Sequence, residues 1–173
     1  RREEAAKAGI SPQLIEDVLR RFMRESYSNE NQFGFKTLNP AINKIVIVGG
    51  YGKMGQLFAR YLRASGYPIS ILDRNDWDVA ERILTNADVV IVSVPIDHTL
   101  ETIERLKPYL TENMLLADLT SVKRVPLAKM LDVHKGAVVG LHPMFGPDIA
   151  SMAKQVVVRC DGPFSERYEW LLE

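Results

Sequence analysis

The feature that most constrains this sequence is an apolar, β-branched run that leads directly into a glycine-rich turn. Ile45–Val48 is apolar at every position, a pattern typical of a strand buried on both faces of a parallel sheet. The turn that follows carries the spacing GxGxxG, and the residues after it repeat at helical intervals. The glycines are Gly50, Gly52 and Gly55, and the helical stripe is Met54, Leu57, Phe58, Tyr61 and Leu62. Strand, glycine turn and helix in this order predict a Rossmann-type unit.

The remainder of the chain repeats this alternation of strand and helix. Further strands are predicted at 69–72, 89–94, 114–117, 138–141 and 156–158. Helical stretches separate most of them, and the stretch at 97–107 is stopped by Pro108. The expected fold class is therefore α/β, a doubly wound and mainly parallel sheet with right-handed crossovers, preceded by an N-terminal α-helical segment.

The first forty residues differ in character from this repeating part. Ser11-Pro12 is a helix start, with serine as the N-cap and proline in the first turn, and the helix is expected to run to about Ser28. A polar, irregular stretch follows, which predicts a linker at 31–43 before a dinucleotide-binding domain at 44–173. The chain begins without methionine and stops inside a helical pattern, so we expect a piece of a longer protein.

Charge and cysteine content narrow the function classes. Lysine plus arginine and aspartate plus glutamate both number 22, so no net charge favours nucleic acid or an anionic membrane. No apolar stretch approaches the roughly 20 residues that span a bilayer, and the first residues lack the apolar centre of a signal peptide. The single cysteine, Cys160, is expected in the core and suits a reducing compartment. We expect a cytoplasmic protein without nucleic-acid or membrane partners.

The glycine turn predicts a phosphate site, because a pyrophosphate can approach bare backbone and the N–H groups of a helix N-terminus. Asp73 ends the second strand, 23 positions past Gly50, where a carboxylate reads ribose hydroxyls and disfavours a 2′-phosphate, so NAD is expected rather than NADP. A tight turn that binds nothing is the alternative, and Lys53 could be merely solvated. The predicted cofactor residues are Gly50, Tyr51, Gly52, Lys53, Met54, Gly55, Asp73, Ser93, Val94 and Pro95.

Candidate catalytic groups follow the fourth and fifth strands. His142 precedes Pro143, which favours extended backbone and places the histidine at the carboxyl edge of the sheet, where ligands of open α/β sheets bind. A histidine bonded only to its own loop is the alternative. Ser121 follows the fourth strand, with helix capping as its alternative role. His98 and His134 are expected at the solvated surface, and no metal site is expected.

Three segments of the chain resemble prephenate dehydrogenases. They read VIVGG at 46–50, DLTSVK at 118–123 and, most specifically, GLHPMFGP at 140–147. The segments IEDVLRR at 15–21 and RESY at 24–27 resemble the end of the chorismate mutase domain that some bacterial bifunctional enzymes fuse to this dehydrogenase. Together the resemblance covers essentially the whole chain.

The resemblance implies oxidative decarboxylation of the small molecule prephenate to 4-hydroxyphenylpyruvate with hydride transfer to NAD, a step of tyrosine biosynthesis. His142 would accept the hydrogen bond of the ring hydroxyl of prephenate. Ser121 would orient that hydroxyl and His142. Residues 1–30 would be the end of a mutase domain, with Ser26 and Glu30 as site remnants. A C-terminal helical domain that grips the substrate and forms a homodimer would lie beyond Glu173, so we expect this piece to be poorly active alone.

Two other hypotheses remain open at this point. One is another NAD-dependent dehydrogenase of the same architecture that acts on a hydroxy acid. The other is a non-catalytic nucleotide-binding or assembly module in which the N-terminal helix pairs with a partner chain.

Overall fold

The computed structural model describes residues 39–152 and 154–172. The helix predicted from Ser11 to about Ser28 lies outside these residues. Residues 39–149 and 155–172 belong to one compact unit. No helix in the described part of the chain is long and apolar enough to cross a membrane.

In the described part of the chain, six strands form one sheet in the order β2-β1-β3-β4-β5-β6. The strands are β1 (Ile45–Val48), β2 (Ile69–Leu72), β3 (Val89–Val92), β4 (Leu115–Asp118), β5 (Ala137–Pro143) and β6 (Val157–Asp161). The first five are parallel and β6 runs antiparallel to β5. The helices are α1 (Lys53–Ala64), α2 (Ala80–Leu84), α3 (Ile96–Leu106) and α4 (Arg124–Val133). The predicted mainly parallel α/β sheet is confirmed, with strand ends within three residues of their predicted positions.

Apolar cores lie on both faces of the sheet, because side chains of a strand point alternately to opposite faces. One core joins Val46, Val90 and Leu116 of the strands to residues of α2, α3 and α4. The other joins Ile47 and Ile91 to α1 and to Tyr168 and Trp170 near the end of the chain. Burial on both faces explains why the central strands are apolar at every position.

Helix α1 ends at a glycine. Gly66 has φ +85°, a left-handed conformation that glycine adopts without strain. Its N–H donates to Arg63 O at 2.9 Å, and the Tyr67 N–H donates to Leu62 O at 3.0 Å. This pair of bonds is the Schellman motif, which satisfies carbonyls at the end of the helix and turns the chain toward β2.

The register of the parallel strands aligns their carboxyl ends along one edge of the sheet. Val48 lies opposite Leu72 on one side and Val92 on the other, and Val92 lies opposite Asp118. The chain passes from β1 to β2 on one side and then to β3 on the other side of β1. The crevice between β1 and β3 is therefore the topological switch point, where ligands of such sheets bind.

Two expectations about burial were wrong. His134 is only 4% exposed, and its Nε2 lies 2.9 Å from Met114 O, because the residue closes the turn between α4 and β5 against the start of β4. Burial lowers the pKa of this imidazole from its ordinary value of 6.5. Cys160 is half-buried rather than in the core, because β6 is an edge strand whose side chains are largely open to solvent.

Candidate functional site

The glycine turn after β1 is packed so closely that side chains could not be accommodated. Gly49 has φ +79°, and a Cβ there would lie 2.7 Å from Ser93 O. A Cβ on Gly55 would lie 2.6 Å from Gly49 O and 2.7 Å from the Gly50 Cα. All of these neighbours are backbone atoms that cannot swing aside, so the turn and the start of α1 require glycine. Gly49 was missed from the predicted site, although the sequence shows it as a fourth glycine beside Gly50.

Helix α1 presents an uncompensated N-terminus to this turn. Its N-cap is Gly52, which offers no side-chain cap, and its first turn contains no acidic residue. The N–H groups of a first turn have no partner within their own helix, and the helix dipole is positive there. Gly52 N–H is held by Gly49 O at 3.0 Å, which keeps the turn closed against β1. Bare backbone and N–H groups without partners in their own helix are the arrangement that fits a pyrophosphate.

Asp73 connects the end of β2 to the glycine turn. Its Oδ2 accepts a hydrogen bond from the Tyr51 N–H at 3.1 Å, and its Oδ1 accepts one from the Arg74 N–H at 2.8 Å. An ionised carboxylate has about four acceptor positions, so two remain for further donors such as ribose hydroxyls. The carboxylate therefore both fixes the loop and remains able to read a sugar.

The residues after β3 reach the same turn from the other side of the crevice. Ser93 N–H donates to Val48 O at 2.8 Å, and a Cβ on Gly49 would meet Val94 Cγ1 at 2.8 Å. Pro95 is the N-cap of α3. The structure therefore brings the predicted cofactor residues of β1, β2 and β3 together at the switch point.

A cleft of about 440 Å³ runs along α1 beside the turn. Its charged lining residues are Lys53, Arg60, Arg63 and Asp148. The cleft includes Gly50 and Lys53 of the predicted cofactor loop, but Asp73, Ser93 and His142 do not line it. The cleft therefore continues from Lys53 of the loop along the positively charged residues of α1. It does not coincide with the predicted reaction centre.

The β4 and β5 ends of the same edge hold a buried ion pair. Asp118 is fully buried, and its Oδ2 accepts hydrogen bonds from Lys123 Nζ at 2.6 Å and from the Thr120 N–H and hydroxyl. Lys123 Nζ also donates to Leu141 O at 2.7 Å. Burial lowers the pKa of Lys123, and the Asp118 carboxylate opposes that effect. Both residues belong to the segment DLTSVK at 118–123, and no local sequence pattern predicts that they pair.

His142 and Ser121 lie at this edge as well. His142 is half-buried near the carboxyl end of β5, opposite Val158 of β6, and no described side chain hydrogen-bonds to its ring. Ser121 is exposed in the bend after β4. Helix α4 begins at Arg124 with Lys123 as N-cap and no side-chain cap bond, so the alternative of Ser121 as a helix cap is not supported. Among the described residues, no group of three His, Cys, Asp or Glu side chains could hold a metal ion.

The parallel sheet with a glycine turn at its switch point defines a nucleotide-binding domain of Rossmann type. A family model described as "Prephenate dehydrogenase, nucleotide-binding domain" matches residues 58–161. This match covers more than half of the chain, and the chain belongs to that family.

Related proteins point in the same direction. The chain is 86% identical over all 173 residues to the T-protein of Haemophilus influenzae and 57% identical to that of Enterobacter agglomerans. It spans 46% of the length of each of these curated relatives. A prephenate dehydrogenase from A. aeolicus, solved in complex with hydroxyphenyl propionate and NAD+, superposes with a TM-score of 0.65 at 20% identity. The match covers 76% of this chain and 56% of that one, and at this identity it supports the fold alone.

Proposed function

We propose that this chain provides the cofactor-binding part of an NAD-dependent prephenate dehydrogenase, an oxidoreductase of tyrosine biosynthesis. The reaction is the oxidative decarboxylation of prephenate to 4-hydroxyphenylpyruvate. The observation that carries the proposal is the placement, on one edge of one sheet, of a glycine turn at a helix N-terminus and of His142, whose ring has no hydrogen-bond partner among the described residues, in a member of this family. The identity to T-proteins extends the proposal to a bifunctional protein that is also a chorismate mutase.

The cofactor residues of the proposal are those gathered at the switch point. Gly50, Gly52 and Gly55 would admit the pyrophosphate to the start of α1, with Tyr51, Lys53 and Met54 beside it. Asp73 would accept hydrogen bonds from the ribose, and its negative charge would disfavour a 2′-phosphate. Ser93, Val94 and Pro95 would line the crevice. NAD, when bound, supplies the hydride acceptor.

The substrate residues of the proposal are His142 and Ser121. A neutral imidazole at the carboxyl end of β5 would accept the proton of the ring hydroxyl as the carbonyl forms. Ser121, exposed after β4, would donate to or accept from that hydroxyl and orient it. His142 is half-buried, which limits its access to water.

The wider architecture remains part of the proposal. Residues 1–30 would be the end of the mutase domain, 31–43 a linker and 44–173 the cofactor domain. The substrate-gripping helical domain and the homodimer would belong to the full length of the T-protein relatives, which is about twice this chain. We place the protein in the cytoplasm.

The decisive test of the catalytic assignment is His142→Asn in the protein at the full length of its relatives. We expect normal NAD binding by calorimetry and a kcat lower by about 10² to 10⁴, the usual contribution of a positioned base. His98→Asn is the matched control, because His98 is exposed in the first turn of α3. Wild-type turnover by His142→Asn would rule out the assigned role.

The substrate assignment is tested separately, by following NADH absorbance with prephenate and with other hydroxy acids. A higher kcat/KM for prephenate than for every other acid supports the proposal. A preference for a different hydroxy acid would favour the other dehydrogenase hypothesis.

A further inference from the structure

Lys123 links the end of β4 to the end of β5 through its ammonium group. It lies 2.6 Å from Asp118 Oδ2 on β4 and 2.7 Å from Leu141 O on β5. The Asp118 side chain is fully buried and that of Lys123 is 12% exposed. Leu141 O belongs to the peptide group that joins Leu141 to His142. The lysine therefore holds the backbone immediately before the proposed catalytic histidine.

Gly140 provides the space through which this link passes. Gly140 lies opposite Asp118, and a Cβ on it would lie 3.1 Å from Lys123 Cδ and 3.4 Å from Asp118 Oδ1. The lysine stem therefore crosses β5 where a side chain is missing. Alternate residues of a strand share a face, so His142 is the next residue after Gly140 on the face that the lysine crosses.

Resting on the proposed function, we propose that Asp118 and Lys123 act as a pair of positioning residues that fix the orientation of His142 for catalysis. Asp118 anchors the ammonium, the ammonium holds the Leu141 carbonyl, and that carbonyl fixes the peptide plane from which His142 projects. Neither residue is assigned a contact with the substrate. A displacement of about 1 Å in a catalytic group can lower a rate by about 10²-fold, so such a device has a measurable effect.

Folding stability alone does not explain why these two charged residues are buried as a pair. Two buried charges lose their hydration, and an apolar pair of similar volume is often equally stable. Asp118 Oδ1 is buried and has no hydrogen-bond partner among the described residues, so the carboxylate is not fully satisfied by the fold. The pair is better explained by the peptide that it holds in place.

The test must separate positioning from folding, because removing one charge leaves the other buried and alone. The double variant Asp118→Asn/Lys123→Met removes both charges at nearly constant volume. Its matched control is Glu104→Gln/Lys129→Met, which removes the ion pair between α3 and α4 at side chains that are partly or largely exposed. Both are made in the protein at the full length of its relatives, and thermal unfolding establishes that each is folded.

We expect the Asp118→Asn/Lys123→Met protein to bind NAD like the wild type and to lose about 10²-fold in kcat with prephenate. The KM for prephenate should change much less, and the control should retain wild-type values of both. A folded double variant with kcat near that of the wild type would overturn the inference, because the pair would then serve the fold only.

A spectroscopic measurement keeps this inference separate from the proposed function. The imidazole ¹⁵N resonances of His142 should move in Asp118→Asn/Lys123→Met and stay unchanged in Glu104→Gln/Lys129→Met. If the wild-type protein does not oxidise prephenate, the proposed function fails and these resonances alone decide the positioning role. His142 resonances that do not move in the first variant overturn it.

Discussion

The two halves of the carboxyl edge of this sheet are held together by different kinds of contact. On the β1–β2 side, close backbone contacts among glycines shape the site, and Asp73 adds hydrogen bonds to backbone N–H groups. On the β4–β5 side, a buried lysine and aspartate join two strands through side-chain atoms. The difference teaches that one edge of a sheet can combine a turn shaped by backbone contacts, which needs little side-chain chemistry, with a junction of two strands that depends on charged groups.

The comparison is tested most severely by breaking the ion pair on one side only. Lys123→Met leaves the Asp118 carboxylate buried without its cation, and loss of one partner of a buried pair costs about 3–5 kcal/mol. We expect a free energy of unfolding lower by that amount in urea titrations. Lys129→Met, which breaks a more exposed pair with Glu104, should cost far less. Equal losses from the two variants would contradict the importance assigned to the buried pair.

On the glycine side, the corresponding change adds one methyl group. Gly55→Ala places a Cβ against backbone atoms of Gly49 and Gly50, and overpacking of this kind costs about 1–3 kcal/mol. We expect a lower unfolding temperature together with weakened NAD binding in calorimetry. Gly146→Ala is the control, because a Cβ there would meet nothing within 4 Å. If the two variants behaved alike, close packing would not be the reason for glycine at position 55.

Asp73→Asn tests the carboxylate that is hydrogen-bonded to the glycine turn. The amide oxygen can still accept from the Tyr51 N–H, so the fold should be retained while the negative charge is lost. We expect NAD to bind about tenfold more weakly relative to NADP, which corresponds to about 1.4 kcal/mol. Asp78→Asn, at an exposed residue in the turn before α2, should leave this ratio unchanged. An unaltered ratio of NAD to NADP affinity in Asp73→Asn would show that Asp73 does not bind the ribose.

The smallest expected effect is a change in the pH dependence of stability. It lies at the amino edge of the sheet, where His134 is buried before the start of β5. Its pKa is lowered mainly by burial, so the unfolded chain takes up the proton more readily. Stability should therefore be fully present above about pH 6.5, the ordinary value, and should fall as the pH drops toward the lower pKa of the folded protein. His134→Gln should flatten this decline in unfolding experiments, and exposed His98→Gln should not. An equal decline in His134→Gln would assign the effect to other groups.

Sequence patterns predicted the local parts of this structure well. The strand β1, the glycine turn and the helix α1 each depend on residues within a few positions of one another. The need for glycine at position 49 was missed, because it arises from contact with Ser93, which follows β3 and is distant in sequence. His134 was misplaced for the same kind of reason, since its polar neighbours suggest solvent while its partner is the distant Met114 carbonyl.

The candidate site likewise contains residues that the sequence predicted and a contact that it did not predict. Asp73 and His142 could be proposed from the sequence because each comes at the end of a predicted strand. The link from Lys123 to Leu141 O spans 18 positions and could not be predicted, because it depends on the adjacency of β4 and β5 and on the gap at Gly140. The antiparallel direction of β6 was likewise not encoded in any short pattern.

The aligned register of the five parallel strands also governs where this chain can gain or lose residues. An insertion within β4 or β5 would turn every later side chain of that strand to the opposite face, carrying Asp118 away from Lys123 or His142 away from its present face. The turns at the other edge, such as residues 85–87, can change length without this consequence. During evolution, insertions and deletions in this domain should therefore collect in the turns at the amino edge of the sheet. The carboxyl edge, where Asp118 and His142 lie, should change by single substitutions.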